Sequence, residues 1–550
     1  MLTLVISWLL LGLVCLCLGT AVLNLLKLDG IQSTSDRFFI AQWIGLVIIA
    51  DIFLFISLFT PLIPIVSISI ALIIVILSLI PKRNRQELSQ LMQQLSPKQI
   101  FGIFCITLFT AIFNSRDILW YDTGLYHYQV TQWLAKTGAV DGLAQVHSRF
   151  GFTSSWFALS AVFDHGLLAT RIGSLINGFV DLLIISHFLL TIKTIGRKNN
   201  NTNNYFIAIA YLAVFITSCQ EALDLSLSPD FPVMVLTVFI GWLLLAFSEV
   251  EQVDISLILV ILSAGAIAIK LSAIPLLIVS FLYVIIRRQK LIRQLILGSI
   301  LSILLILPSL LYAVKVSGCP LFPSGILCLD LPWAYTSESA HQISQIIRDW
   351  ARWTGPTPVG ANQWNWLPMW VEREMQATIQ VLLSLITVLV LMKYRYKLAD
   401  YAFIFLLGGI GITFMMLQAP TWRFGLGYLT VIPALGIALL LSKVHHKILN
   451  FSKRLKSVSK YLANPVMWIM LLVVWIMIFR QRAINWLVPP PLKQPEILLT
   501  KETDGIKYTI PQNDDRCWSA PIPCTPEDLE NRVKLLRPDM GIAGGFAKVK

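Results

Sequence analysis

Charge is what this sequence has least of. Only 13% of its 550 residues are Asp, Glu, Lys or Arg, against 56% hydrophobic. Soluble domains average about 25% charged residues, so a water-soluble globule is excluded. One buried core of this length is excluded too, because cores stop growing at roughly 250–300 residues. No Walker phosphate loop, GxGxxG fingerprint, HExxH motif, CxxC spacing or internal repeat is present, which leaves nucleotide-driven and zinc chemistry without a motif. A cleavable leader is also missing. Residues 1–26 carry no basic start and no small-residue cleavage site, so they read as a retained first span. Strict apolar–polar alternation, the mark of a membrane β-barrel, is absent as well.

What is there are apolar runs of bilayer length, which takes about 20 residues each. The formal charge of +13 could point to nucleic acid. Its basic residues, however, gather in short stretches between the runs: 82–86, 193–198, 287–293, 393–397 and 443–460. Such clusters report orientation and belong in the cytoplasm, so no nucleic-acid partner is expected. Each pair of clusters must then enclose an even number of crossings. The runs at 99–114, 171–194, 205–218, 229–248, 255–269, 271–286, 291–314, 376–392, 401–417 and 424–442 meet that requirement. Three spans before residue 82 and a last one near 464–483 bring the expectation to an all-α, polytopic helical membrane protein of 13–14 spans. Residues 1–98 would form N-terminal spans with a cytoplasmic loop, and 99–442 a core with outer loops 115–170 and 315–375. Residues 443–483 would hold a basic loop and the last span, and 484–550 an extracytoplasmic tail. The stretch 154–170 must not cross; it reads as an amphipathic helix lying on or dipping into the outer face, and His147, Arg149 and His165 beside it could line a site, although lone histidines are more often solvated.

On this topology the unusual polar residues converge on one side. Trp120 to Gln129 reads WYDTGLYHYQ just after an apolar run. Asp122 at headgroup depth suits a general base or a ligand for a divalent cation. Tyr126 and His127 lie near it if the segment is helical. Asp230, in SLSPDFP, reads as a residue at a helix start and as a second outer carboxylate. Lys270 interrupts apolar sequence in AIAIKLSAIPLL, where a cation is costly and a functional candidate. Arg423, in PTWRFGLGYL, suits phosphate, which a guanidinium can grip with two parallel hydrogen bonds. Asp51 and Asp181 sit inside apolar runs as scattered acids. In the tail, CWSAPIPC places Cys517 and Cys524 where an oxidising compartment favours a bridge, and Cys319 and Cys328 in GCPLFPSGILC stand in the same position.

The layout resembles the GT-C superfamily of membrane glycosyltransferases. The likeness rests on a long first outer loop opening on an acid (Asp122 in DTGLYHY), a second outer acid (Asp230), the KLSAIPLL segment around Lys270, a late outer arginine (Arg423) and a long late outer loop. It covers roughly residues 99–442. Three spans precede the loop where one is usual, and one acid stands where many relatives carry an adjacent pair, which leaves metal use open. The tail CWSAPIPCTPEDL looks like the ending of a little-characterised bacterial group within that superfamily. The resemblance implies an inverting glycosyltransferase of the bacterial plasma membrane, active on its extracytoplasmic face. It would move a sugar from a polyprenyl-phosphate-linked donor to a glycan, lipid or protein hydroxyl in cell-envelope assembly. Asp122 would be catalytic, with Arg423, Lys270, Asp230, His127 and Tyr126 binding substrate. The rival readings are a polysaccharide polymerase and a lipid or solute transporter.

Overall fold

Long apolar helices account for most of the chain, as the runs require. The structure, a computed structural model, describes residues 1–28, 30–31, 33–196, 201–247, 255–287, 291–362, 364–394, 396–454 and 485–549. Helices α1 (Leu2–Leu25), α2 (Thr34–Ser57) and α3 (Pro64–Leu79) come first, and α3 bends by 98° into α4 (Lys82–Gln93). After α5 (Pro97–Phe113) come α6 (Tyr128–Lys136), α7 (Ser155–Ala161), α8 (Leu175–Gly196), α9 (Thr202–Gln220) and α10 (Asp230–Ala246). The chain continues through α11 (Ser256–Ile269), α12 (Ile274–Arg287), α13 (Leu291–Ser317), α14 (Ser337–Trp353), α15 (Leu367–Arg373), α16 (Met375–Lys393), α17 (Ala402–Gln418) and α18 (Trp422–Arg454). The architecture is all-α and polytopic. Among the described residues eight helices are long and apolar enough to cross a membrane, or nine if the bent α3–α4 pair is one broken span rather than a re-entrant loop, and four shorter apolar helices stand at 97–113, 230–246, 256–269 and 271–287. The expected span near 464–483 lies outside the described residues.

Local chemistry sets the starts. Ser33 caps α2 by accepting from the Asp36 N–H, and Ser96 with Gln99 forms a reciprocal capping box before Pro97 at the start of α5. Close contact between α1 and α2 depends on glycine. A β-carbon at Gly19 would collide with the Ala41 backbone, and one at Gly45 with that of Cys15.

One region differs from the sequence reading and a second goes beyond it. The stretch 154–170 holds no interface helix: every residue of α7 is buried, and it packs against α2 and α6. Most of its scattered polar residues find partners inside the protein, Ser155 Oγ excepted. Ser154 Oγ donates to the Ile269 carbonyl at 2.7 Å, and the Trp156 indole donates to Asn177 at 2.8 Å. Asp164 accepts from Tyr128 and from the Thr170 N–H, and His165 meets the Leu62 carbonyl at 2.9 Å. The second is the tail, read only as an extracytoplasmic segment, which carries short strands and a 3₁₀ turn at Pro538–Gly544. Strands β1 (Leu498–Thr503) and β2 (Ile506–Pro511) pair antiparallel, as do β3 (Val533–Leu535) and β4 (Phe546–Lys548).

The tail fastens to the loop that follows α5. Leu492 N–H donates to Thr170 O at 2.7 Å, Phe546 N–H to Asp141 O at 2.8 Å, and Thr525 to Val146 O at 3.1 Å. His147 pairs with Glu527 at 3.6 Å. The first turn of α1 joins the same end, with Leu2 N–H on Trp486 O at 3.0 Å. Disulfides link Cys517 to Cys524 and Cys319 to Cys328.

Candidate functional site

Asp122 opens a π-helical turn, Thr123–His127, that runs directly into α6. The turn closes when the Tyr128 N–H donates to the Thr123 carbonyl. Such wide turns recur at functional sites, because the extra residue re-aims the side chains around it. Gly124 has a steric role here. A β-carbon on it would lie 2.6 Å from the Trp518 indole of the tail, and the Trp518 N–H donates to the Gly124 carbonyl at 2.8 Å. Gln129 donates to the carbonyls of Trp518 and Ala520 at 3.2 and 2.9 Å, and Tyr121 bonds to Asp515. The residues on both sides of Asp122 are thus held by the tail.

Asp122 itself is 6% exposed and held by two arginines. Arg423, one residue into α18, donates to its Oδ2 at 2.6 Å. Arg149, from the short turn Ser148–Gly151, stands 3.5 Å from Oδ1. Burial alone would raise the carboxyl pKa, but Arg423, His127 and Arg149 together hold it below the usual range. The neighbouring carboxylate, Asp230 at the first position of α10, forms an ion pair with Lys270. It also takes the Ser228 hydroxyl at 3.2 Å. Lys270 sits at the break between α11 and α12 and lies 4.0 Å from the centre of the Phe424 ring. The Arg423 guanidinium is 4.8 Å from the same ring, with Trp120 and Trp350 at 5.8 and 6.0 Å.

His127 is buried between aromatic rings, 4.3 Å from Tyr126 and 5.2 Å from Phe157. Burial pushes its pKa down to about 3, outweighing the pull of Asp122 and Asp230, so the imidazole is neutral at neutral pH. Its Nδ1 has no hydrogen-bond partner among the described residues. Tyr126 stacks loosely under Arg149 at 5.9 Å. The site therefore holds three cations, Arg149, Lys270 and Arg423, against two carboxylates. This excess of positive charge, ringed by aromatic faces, suits an anion with an apolar or sugar portion.

The structure brings together Asp122, Tyr126, His127, Asp230, Lys270 and Arg423, from segments up to 301 residues apart in sequence. Of the three residues that could line a site, Arg149 does belong to it. Its signal in the sequence was only its presence in the same loop as Asp122. Of its two neighbours, His147 faces the tail and His165 a backbone carbonyl. A divalent cation at Asp122 does not fit the donor set, since both carboxylate oxygens face guanidinium groups. Among the described residues no three His, Cys, Asp or Glu side chains converge as metal ligands.

A family model described as a domain of unknown function (DUF8201) matches residues 1–430. No curated protein and no solved structure matches the chain.

Proposed function

The chain belongs to the DUF8201 family, whose description names no activity; from the geometry of the site we propose that it is a membrane glycosyltransferase. It takes a sugar from a polyprenyl-phosphate-linked donor at the extracytoplasmic face of the plasma membrane. The observation that carries this reading is the Arg423–Asp122–Arg149 arrangement beside Lys270–Asp230, a carboxylate and an excess of cations at one end of a polytopic bundle. In the resting site the Asp122 carboxylate occupies Arg423. A donor phosphate, with more charge and more acceptor oxygens, competes for that guanidinium. Once it does, Asp122 loses the partner that most lowers its pKa and becomes a better base.

In the reaction the acceptor hydroxyl gives its proton to Asp122, and its oxygen bonds to the anomeric carbon from the face opposite the phosphate. The bond from that carbon to the phosphate oxygen breaks with its electron pair, and polyprenyl phosphate departs. The sugar configuration inverts. Arg423, with Lys270 and Arg149 near it, stabilises the charge that gathers on the phosphate. The aromatic faces of Trp120 and Trp350 flank this position and suit a sugar ring or the first isoprene units.

The test uses the full-length protein in lipid nanodiscs, probed with polyprenyl monophosphate and with the matching polyprenol. Preferential binding of the phosphate, lost in Arg423→Gln, supports the reading. Equal binding of both lipids, or an unchanged Arg423→Gln, would overturn the phosphate assignment.

A further inference from the structure

A second polar cluster lies in the bundle outside the Asp122 site. It gathers Asn114 at the end of α5, Arg116 just beyond it, Asp181 on α8, and Cys219 and Asp224 around the turn after α9. Asp181 and Asp224 are both 0% exposed, as is Asn114. The Asn114 amide Nδ2 donates to Asp181 Oδ2 at 3.0 Å, which ties the two side chains together. The Cys219 thiol approaches Asp224 Oδ2 at 3.6 Å. The two carboxylates feel each other's charge, and Arg116 acts on both, yet its guanidinium is directed elsewhere. Arg116 Nε donates to the Phe113 carbonyl at 3.0 Å.

Several atoms here are left over. Asp181 Oδ1, Asp224 Oδ1, Asn114 Oδ1 and Arg116 Nη2 are all buried without a hydrogen-bond partner among the described residues. Native interiors hold few such groups, and each calls for a water or an ion. Charge sharpens the choice. With both carboxylates ionised, two of them against one guanidinium leave one negative charge uncompensated in a buried place, where an unpaired charge is costly. A shared proton would cancel that charge but would bridge a single pair of oxygens. Three side-chain oxygens on three segments would be satisfied together by a hard cation and its water, whose hydrogens and oxygen also serve the oxygens and Arg116. Two carboxylates and a neutral amide oxygen match sodium, not a transition metal.

We infer that Asp181, Asp224 and Asn114 form a buried site for one hydrated monovalent cation of the sodium type. The site has a mechanical connection to the outer carboxylate Asp230. Asn177, on α8 one turn before Asp181, donates to the Ser226 carbonyl at 2.7 Å and the Ser228 carbonyl at 3.2 Å. Ser228 in turn donates to Asp230. A cation binding Asp181 and Asp224 ties α8 to the same turn, and so steadies the residues that present Asp230 to Lys270.

The experiment is a thermal-unfolding titration of the full-length protein in detergent, with sodium, potassium or choline chloride at constant ionic strength. Sodium is expected to raise the midpoint by a few degrees in a saturable way, as a ligand of the native state must. Choline should not, and Asp224→Asn should abolish the response. Should that variant fail to fold, Asn114→Ser is the second one; it shortens the neutral ligand and should raise the half-saturating sodium concentration several-fold. Identical midpoints in all three salts would overturn the inference. So would stabilisation on mild acidification without any preference among the salts, which is the behaviour of a shared proton.

Discussion

The indole of Trp518 rests on Gly124, and the Trp518 N–H donates to the Gly124 carbonyl at 2.8 Å. The contact joins a tail residue to the turn that carries Asp122, across nearly four hundred positions of sequence. Gly124→Ala forces a methyl group into the ring. It should destabilise the protein by about 1–3 kcal/mol, the usual range for overpacking. Trp518→Ala in the same chain should return part of that loss, read as a recovery of the melting midpoint. If the two changes simply add, the indole is not the obstacle.

Arg423 and Asp122 should behave as a coupled pair. Removing one partner of a buried ion pair strands the other, at about 3–5 kcal/mol. Asp122→Asn combined with Arg423→Gln should therefore cost less than the two single changes summed, in a double-mutant cycle on the melting transition. A coupling energy of zero would mean the pair is not formed in the folded protein. In a transfer assay, Asp122→Asn should lower turnover by about 10²–10⁴-fold, the range of a lost general base. Full turnover in that variant would remove Asp122 from the chemistry.

Stability should fall on acidification, and the sign follows from His127 and Asp122. The unfolded chain protonates His127 near its ordinary 6.5, whereas the folded chain resists until about 3. Between those values the unfolded state binds more protons, so stability rises with pH and is fully present above the window. Asp122 acts in the same direction. Its lowered pKa makes a contribution that is lost as pH falls through the folded value. The melting midpoint followed from about pH 4 to 6.5 should have a shallower slope in His127→Gln than in the parent. Equal slopes would show that His127 is accessible to protons in the folded state.

Thiol counting checks the tail independently. Unfolded without reductant, the chain should expose four thiols to maleimide, at Cys15, Cys17, Cys105 and Cys219. After reduction all eight cysteines should react. On intact cells, a membrane-impermeant maleimide should label Glu502→Cys, at an exposed position of the tail, above the level of the parent protein. No added labelling would place the tail on the cytoplasmic side and count against the proposed face.

Much of the fold was legible because bilayer-spanning helices announce themselves in one dimension. The run at 205–218 is α9 at Thr202–Gln220, and the run at 376–392 is α16 at Met375–Lys393. Segment 154–170 was misread for a physical reason. Ser154, Trp156 and Asp164 look like a polar face, but their partners Ile269, Asn177 and Tyr128 are distant or on other elements. The site was legible as separate residues and not as pairs. Asp230 and Lys270 stood out singly, 40 positions apart, and nothing local says that their side chains meet. Asp224 drew no notice because its significance comes from Asp181 across the helix pair. Arg149 stood with His147 and His165 as a residue that could line a site, and nothing local singles it out until the carboxylate facing it is known.

The strap between tail and first loop also bears on the order of events during synthesis. Asp122 emerges early, but Arg423, Asp515 and Trp518 are made hundreds of residues later. Until then the carboxylate has Arg149 but not Arg423, and its turn lacks its clamp. The growing chain must keep the segment around residues 120–129 waiting, unfinished, at one end of the bundle. A chain cut short before residue 485 would carry every charged residue of the site but not the Trp518 and Asp515 contacts that clamp the Asp122 turn.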